Sequence, residues 1–273
     1  YASFAVAQKE PNRDDFTESP TGALPKPERL FNTEAGFRTA GRRASFSANV
    51  YYMAYKDQLV LTGNINDVGA PVRRNVPNSY RLGLELAGNL ALAQGLTFEG
   101  NAAFSRNKIK NFTEYVDNWD TGTQAVFQRG TTDISFSPSF IAFGKLGYAF
   151  ENLFGKENQR LEFALSGKHV GSQFMDNTSN EHTKLDAYTV SDFQIQWTMK
   201  PLVLKEVTFN LLIFNWLDKK YSSNAWTYRF ISEGYDPVSD DPYARREQGN
   251  FYNLTGFYPQ AGRHFLTGLT VKF

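Results

Sequence analysis

The chain has 273 residues, no cysteine, a formal net charge of +1 and 15% aromatic residues, with 24 Phe and 14 Tyr. Near-zero charge argues against a nucleic-acid partner, the absence of cysteine excludes disulfides and thiolate metal sites, and no run of about 18 apolar residues exists to form a transmembrane helix. Hydrophobic residues at 41% and charged residues at 21% lie near the globular average, which excludes a disordered chain.

Alternation with a period of two predicts about ten strands. The first four lie at 1–8, 28–38, 44–55 and 80–92. In 80–92, YRLGLELAGNLAL, one face carries Leu82, Leu84, Leu86, Leu90 and Leu92, and the other carries Arg81, Gly83, Glu85 and Asn89. Strands follow at 96–105, 136–150, 161–170, 186–199, 205–214 and 263–273. In the last, Phe265, Thr267, Leu269, Val271 and Phe273 alternate with His264, Leu266, Gly268, Thr270 and Lys272. Soluble sheets use strands of about 5–6 residues, whereas a tilted strand crossing a bilayer needs about 9–11. The segments here match the second length.

The connections alternate too. Short joins fall at 39–43, 93–95, 151–158 and 200–204; long ones fall at 9–27, 56–77, 107–135, 171–184 and 218–262. Short turns at one end and long loops at the other are the pattern of an antiparallel membrane barrel. The predicted fold is therefore all-β, an antiparallel transmembrane β-barrel. Its Leu/Phe face meets lipid, and its polar face, with Glu34, Glu85, Glu99 and Lys272, lines a wet lumen.

Reactive chemistry is sparse. His169, His182 and His264 show no short ligand spacing, and Asp236, Asp240 and Asp241 in YDPVSDDPY lack an EF-hand pattern. No GxSxG, HExxH or P-loop occurs, so no catalytic residue, metal or cofactor is expected. Ligand capture has more support. The 218–262 loop offers Trp226, Tyr228, Arg229, Tyr243 and Arg245, and Arg73, beside Arg74, forms a second cationic spot. Aromatic rings stack on flat or apolar ligand faces, and Arg binds carboxylates in a bidentate fork. The competing reading is that these side chains pack the loop against its neighbours.

Three stretches carry a family resemblance. FAVAQKEPNRDDF at 4–16 with LPKPERLFNTEAGFR at 24–38 resembles the mid-barrel passage of TonB-dependent receptors. LLIFNWLDKKYSSNAWTYRF at 211–230 resembles the penultimate-strand passage of that family, and FYPQAGRHFLTGLTVKF at 257–273 resembles its closing motif. The resemblance implies that residues 1–273 are about ten C-terminal strands of a 22-stranded barrel in the bacterial outer membrane, with the plug and first barrel half outside this sequence. It implies a periplasmic C-terminus and extracellular long loops. It implies active uptake of a scarce solute, a ferric siderophore first, with oligosaccharide or cobalamin import or a passive porin as alternatives. The implied partners are outer-membrane lipid, TonB through the plug segment, the small-molecule solute and a surface lipoprotein. The barrel-assembly machinery would read Phe265, Leu269, Val271 and Phe273.

Overall fold

The computed structural model describes residues 1–19, 24–65, 71–155, 158–235 and 244–273. The first half of the chain forms β1 (Ala2–Lys9), a short helix α1 (Arg13–Thr17), β2 (Glu28–Ala40), β3 (Ala44–Ile65), β4 (Pro71–Ala93) and β5 (Leu96–Asn118). Then come β6 (Thr123–Asp133), β7 (Phe140–Glu151), β8 (Gln159–Val170), β9 (Gln173–Phe174), β10 (Lys184–Leu185) and β11 (Tyr188–Met199). The chain closes with β12 (Glu206–Phe214), β13 (Ser222–Ile231), β14 (Ala244–Arg246), β15 (Phe251–Pro259) and β16 (His264–Lys272).

Ten strands run side by side in one sheet, in the order β1-β2-β3-β4-β5-β7-β8-β11-β12-β16, and every pair along this path is antiparallel. These are the ten strands that alternation predicts. The register carries the alternation across the whole sheet. Leu146, Leu165, Phe193, Ile213 and Phe265 are direct cross-strand partners on five consecutive strands. One residue over, Asn89, Glu99, Lys145, Ser166 and Asp192 form a polar row on the opposite face.

Among the described residues no second layer covers the apolar row. Phe265 and Leu269 are 63% and 68% exposed, and Phe98, Phe104, Leu146 and Leu165 are exposed as well. A soluble protein rarely leaves so wide an apolar face bare, whereas a membrane strand presents it to lipid. Fully buried apolar side chains gather elsewhere. Val60, Val76, Ile109, Phe112 and Ile134 cluster where the sheet passes into the long loops. The buried core of this chain thus sits where β3, β4 and β5 run into the loop end, and not along the bare apolar face of the sheet.

Two predicted long loops turn out to be mostly strand. β3, β4 and β5 have 22, 23 and 23 residues. At about 3.3 Å per residue each spans roughly 70 Å, over twice the apolar thickness of a bilayer. The predicted loop 56–77 is therefore the far end of the β3–β4 hairpin, and the 107–135 loop is the end of β5 paired with β6. Alternation hides these extensions because Asp57 and Asn111 adopt left-handed φ values of 56° and 54° and interrupt the pleat. The strand predicted from 136 starts instead at Phe140: Phe136 also has φ 48°, and Pro138 follows it. The short joins fall where predicted.

Among the described residues the sheet does not close on itself. β1 pairs with β2 alone and β16 with β12 alone, and every residue of both strands is exposed.

Candidate functional site: a locked cluster of long loops

The segment WTYRF at 226–230 lies in β13 and alternates like any strand. Tyr228 and Phe230 fall on one side, Thr227 and Arg229 on the other. β13 pairs antiparallel with β15, and β14 covers the far side of β15. At its tip, Phe230 and Ile231 pair in parallel with Asp117 and Asn118 of β5. The last long loop therefore leans away from β12 and β16, between which it is inserted, and docks on the β5–β6 hairpin.

One side of this junction is aromatic. Trp119 stacks on Phe230 with centroids 3.8 Å apart and planes 12° apart, and Phe230 is fully buried. Tyr228 donates its hydroxyl proton to Asp117 Oδ2 at 2.6 Å and accepts from Trp119 Nε1 at 3.1 Å. Burial, together with the bond to the Asp117 carboxylate, pushes the Tyr228 phenol up to about 12.

The other side is ionic. Arg229 Nη1 donates to both oxygens of Glu114, at 3.0 and 3.1 Å, and its Nε donates to both oxygens of Glu247 at 3.1 Å. Its guanidinium also lies 4.6 Å above the Phe251 ring. Arg129 Nε adds a 2.6 Å bond to Glu114, and Asn180 Nδ2 donates to Glu247 at 2.8 Å. Two arginines and two glutamates balance, so this ionic side carries no net formal charge. Burial alone would raise the Glu247 carboxyl, but the bonds and charge of Arg229 outweigh it and leave the group below the ordinary carboxylate range. Its contribution is present above that range and is lost as pH falls through the lowered value.

The 171–184 loop fastens this junction to the β3–β4 hairpin. Asn177 Nδ2 donates to the Leu61 carbonyl of β3 at 2.8 Å, and Ser135 N donates to Asn177 Oδ1 at 2.8 Å. Asp176 beside it is half-buried. Its Oδ1 accepts from Thr178 N, Thr178 Oγ1 and Thr183 Oγ1 at 3.1, 2.7 and 2.9 Å. Desolvation outweighs these bonds and pushes the Asp176 carboxyl up. A carboxyl raised in this way favours the docked loop below the ordinary carboxylate range, and that contribution is lost as pH rises through the raised value. Asp176→Asn keeps the acceptor oxygen and removes the charge. It is expected to slow exchange of the 175–183 amides severalfold at neutral pH and to change nothing in mild acid. Hydrogen exchange at the two pH values, corrected for intrinsic rate, measures this.

The residues expected to take ligand have different fates. Tyr228 and Arg229 are committed to the junction. Trp226 is 49% exposed, its indole lying across its cross-strand partner Gly256. Arg73, in β4 of the β3–β4 hairpin, forms an ion pair with Asp15 at 3.2 Å. Arg245 pairs with Asn253 through its backbone register, and its side chain lies outside the described residues, as do Tyr243, Asp236, Asp240 and Asp241. Phe265, Leu269, Val271 and Phe273 share the apolar face, with Phe273 84% exposed. Glu114, Trp119, Asn177 and Glu247 were not expected. Their partners lie far along the chain, and no local spacing marks them.

A single sheet with one bare apolar face, one polar face, short turns at one end and interlocked hairpins at the other defines the wall of a membrane β-barrel. Residues 1–216 match the family model described as TonB dependent receptor-like, beta-barrel, and the chain belongs to that family. Solved structures agree in fold. The ferric yersiniabactin uptake receptor FyuA from Yersinia pestis is 16% identical with a TM-score of 0.58, aligned over 98% of this chain and 33% of its own. The copper transporter OprC is 16% identical with a TM-score of 0.61, over 100% and 36%. A mutant ferric enterobactin receptor, PfeA from Pseudomonas aeruginosa, is 18% identical with a TM-score of 0.58, over 100% and 38%. The chain thus spans about a third of the length of these receptors. No curated protein sequence matches it.

Proposed function

We propose that this chain is the C-terminal wall and loop cluster of an outer-membrane receptor that imports a scarce solute, a ferric siderophore or similar metal chelate, using energy relayed through TonB. Membership of the receptor family carries this reading. The plug, the TonB-contacting segment and the remaining barrel strands lie outside this sequence. Two features support it: the polar inner face would line the conduit, and the long loops hold one another at its outer end. Phe265, Leu269, Val271 and Phe273, on the lipid face of the last strand, would serve as the assembly signal.

Uptake of radiolabelled ferric siderophores, with copper in the same panel, tests the reading in cells with and without the gene, each with and without TonB. The expected result is accumulation of one chelate that needs both. Accumulation that persists without TonB would make the barrel a passive pore. Within the outer loop, Trp226 is the ligand candidate whose ring remains half exposed. Trp226→Ala is expected to weaken chelate binding about tenfold, the loss of one stacking contact of 1–2 kcal/mol. An unchanged apparent affinity would remove Trp226 from the site.

A further inference from the structure

A cavity of about 320 Å³ lies apart from the ionic junction, between the 24–26 segment, the β3–β4 hairpin and the far half of β5. Lys26, Arg73 and Arg74 all line it, and among the described residues only Arg73 has an acidic partner, Asp15 at 3.2 Å. That aspartate is fixed independently: it belongs to the capping box of α1, where its Oδ2 accepts from Asn12 N at 2.8 Å. Three cations against one carboxylate leave a formal excess of two positive charges at one small cavity.

Two polar groups of its wall have unmet hydrogen-bonding capacity. Arg74 lies with its guanidinium 4.5 Å over the Tyr115 ring and its Nη1 3.4 Å from the Tyr115 hydroxyl. Its Nε has no acceptor among the described residues. The Thr62 hydroxyl, on a residue only 4% exposed, also lines the cavity and also lacks a partner among the described residues. Each buried unpaired group of this kind costs about 1–3 kcal/mol. A guanidinium held mainly by a ring face can turn on that face. Leu24 and Pro25 add an apolar part to the lining.

We infer that this cavity binds a compact oxyanion, a phosphate or carboxylate group presenting at least two acceptor oxygens. One oxygen meets the turned Arg74 fork, a second meets the Thr62 hydroxyl, and Lys26 closes over the charge from the rim. A guanidinium fork with a lysine point charge is the pairing that recognises such groups. The oxyanion has two sources, a soluble polyanion or the phosphate of an outer-leaflet glycolipid. Binding here does not depend on uptake, and the assay below needs neither TonB nor transport.

The native receptor in detergent is titrated calorimetrically with citrate and with inorganic pyrophosphate. Separately, it is titrated with vesicles containing phosphorylated or dephosphorylated glycolipid. The expected result is salt-sensitive binding that weakens at least about tenfold in the Lys26→Gln/Arg74→Gln double variant. Arg74→Lys should restore part of it, and Thr62→Val should weaken it by a smaller factor. If the source is soluble, the free anions titrate. If it is the lipid, only phosphorylated vesicles do, and the same double variant loses them. Equal binding by wild type and double variant, or no binding to any of the four probes, overturns the inference. Hydrogen exchange across the β5–β6 hairpin, unchanged in the double variant, verifies that the loops remain docked.

Discussion

Arg229→Met is expected to undock the last long loop while leaving the ten-strand sheet intact. The substitution keeps much of the side-chain volume over Phe251 and removes the cation that Glu114 and Glu247 share. Glu114 retains Arg129, but Glu247 is left with Asn180 as its hydrogen-bond donor. A buried carboxylate stripped of its counter-charge costs about 3–5 kcal/mol. Hydrogen exchange should show amides at 114–119, 229–231 and 251–255 accelerating by two orders of magnitude or more, with β7, β8 and β11 unchanged. Protection of 229–231 equal to wild type would show that the aromatic side, Trp119 on Phe230, holds the loop without the ions. Arg229→Met/Glu247→Gln should recover most of the loss, because Glu114 keeps Arg129 and no carboxylate is then left without its counter-charge.

The second large effect is expected at the short-turn end. Gly95 joins β4 to β5 with φ +78°, and its carbonyl accepts from Ala149 N at 2.8 Å. A Cβ at this position would overlap the Ala149 carbonyl oxygen, a backbone atom fixed by the β7 ladder. Gly95→Val therefore combines a left-handed φ, costing about 1–2 kcal/mol, with a clash that no side-chain rotation relieves, for a total of about 3 kcal/mol. Gly122→Ala separates the two causes: its φ is +67°, and nothing stands within 4 Å of the added Cβ. It should show only the smaller cost. Urea unfolding of the receptor in lipid vesicles measures both. A Gly95→Val midpoint equal to wild type would mean that the turn relaxes freely.

The barrel wall was legible because lipid imposes the same rule on every strand. Leu82, Leu84 and Leu86 face outward whatever their neighbours do, so local alternation locates the strand and its face. Beyond the bilayer that rule ends. Val60 and Val76 are buried against Ile109, Phe112 and Ile134 in a core that the hairpins build for themselves, and Asp57 and Asn111 break the pleat just where the environment changes. The site was less legible for a related reason. Aromatic and Arg side chains in the last loop suggest ligand capture equally well whether they face a ligand or one another. Tyr228 and Arg229 face Asp117, Trp119 and Glu114, more than a hundred positions away. Arg74, by contrast, stood in plain view, but nothing local reveals that Tyr115 lies beneath it.

These separations have a kinetic side. Most strands of the wall pair with the next one in sequence, whereas Arg229 meets Glu114 across 115 residues and Asn177 reaches Leu61 across 116. Contacts of such high order close late, because the chain between them must first be ordered. The loop junction is then formed after the folding barrier, and strengthening or weakening it alters the rate of unfolding far more than the rate of folding. A protease added outside the cell during biogenesis would cut nascent receptors at these loops and spare finished ones. Acquisition of resistance would time the last step of assembly.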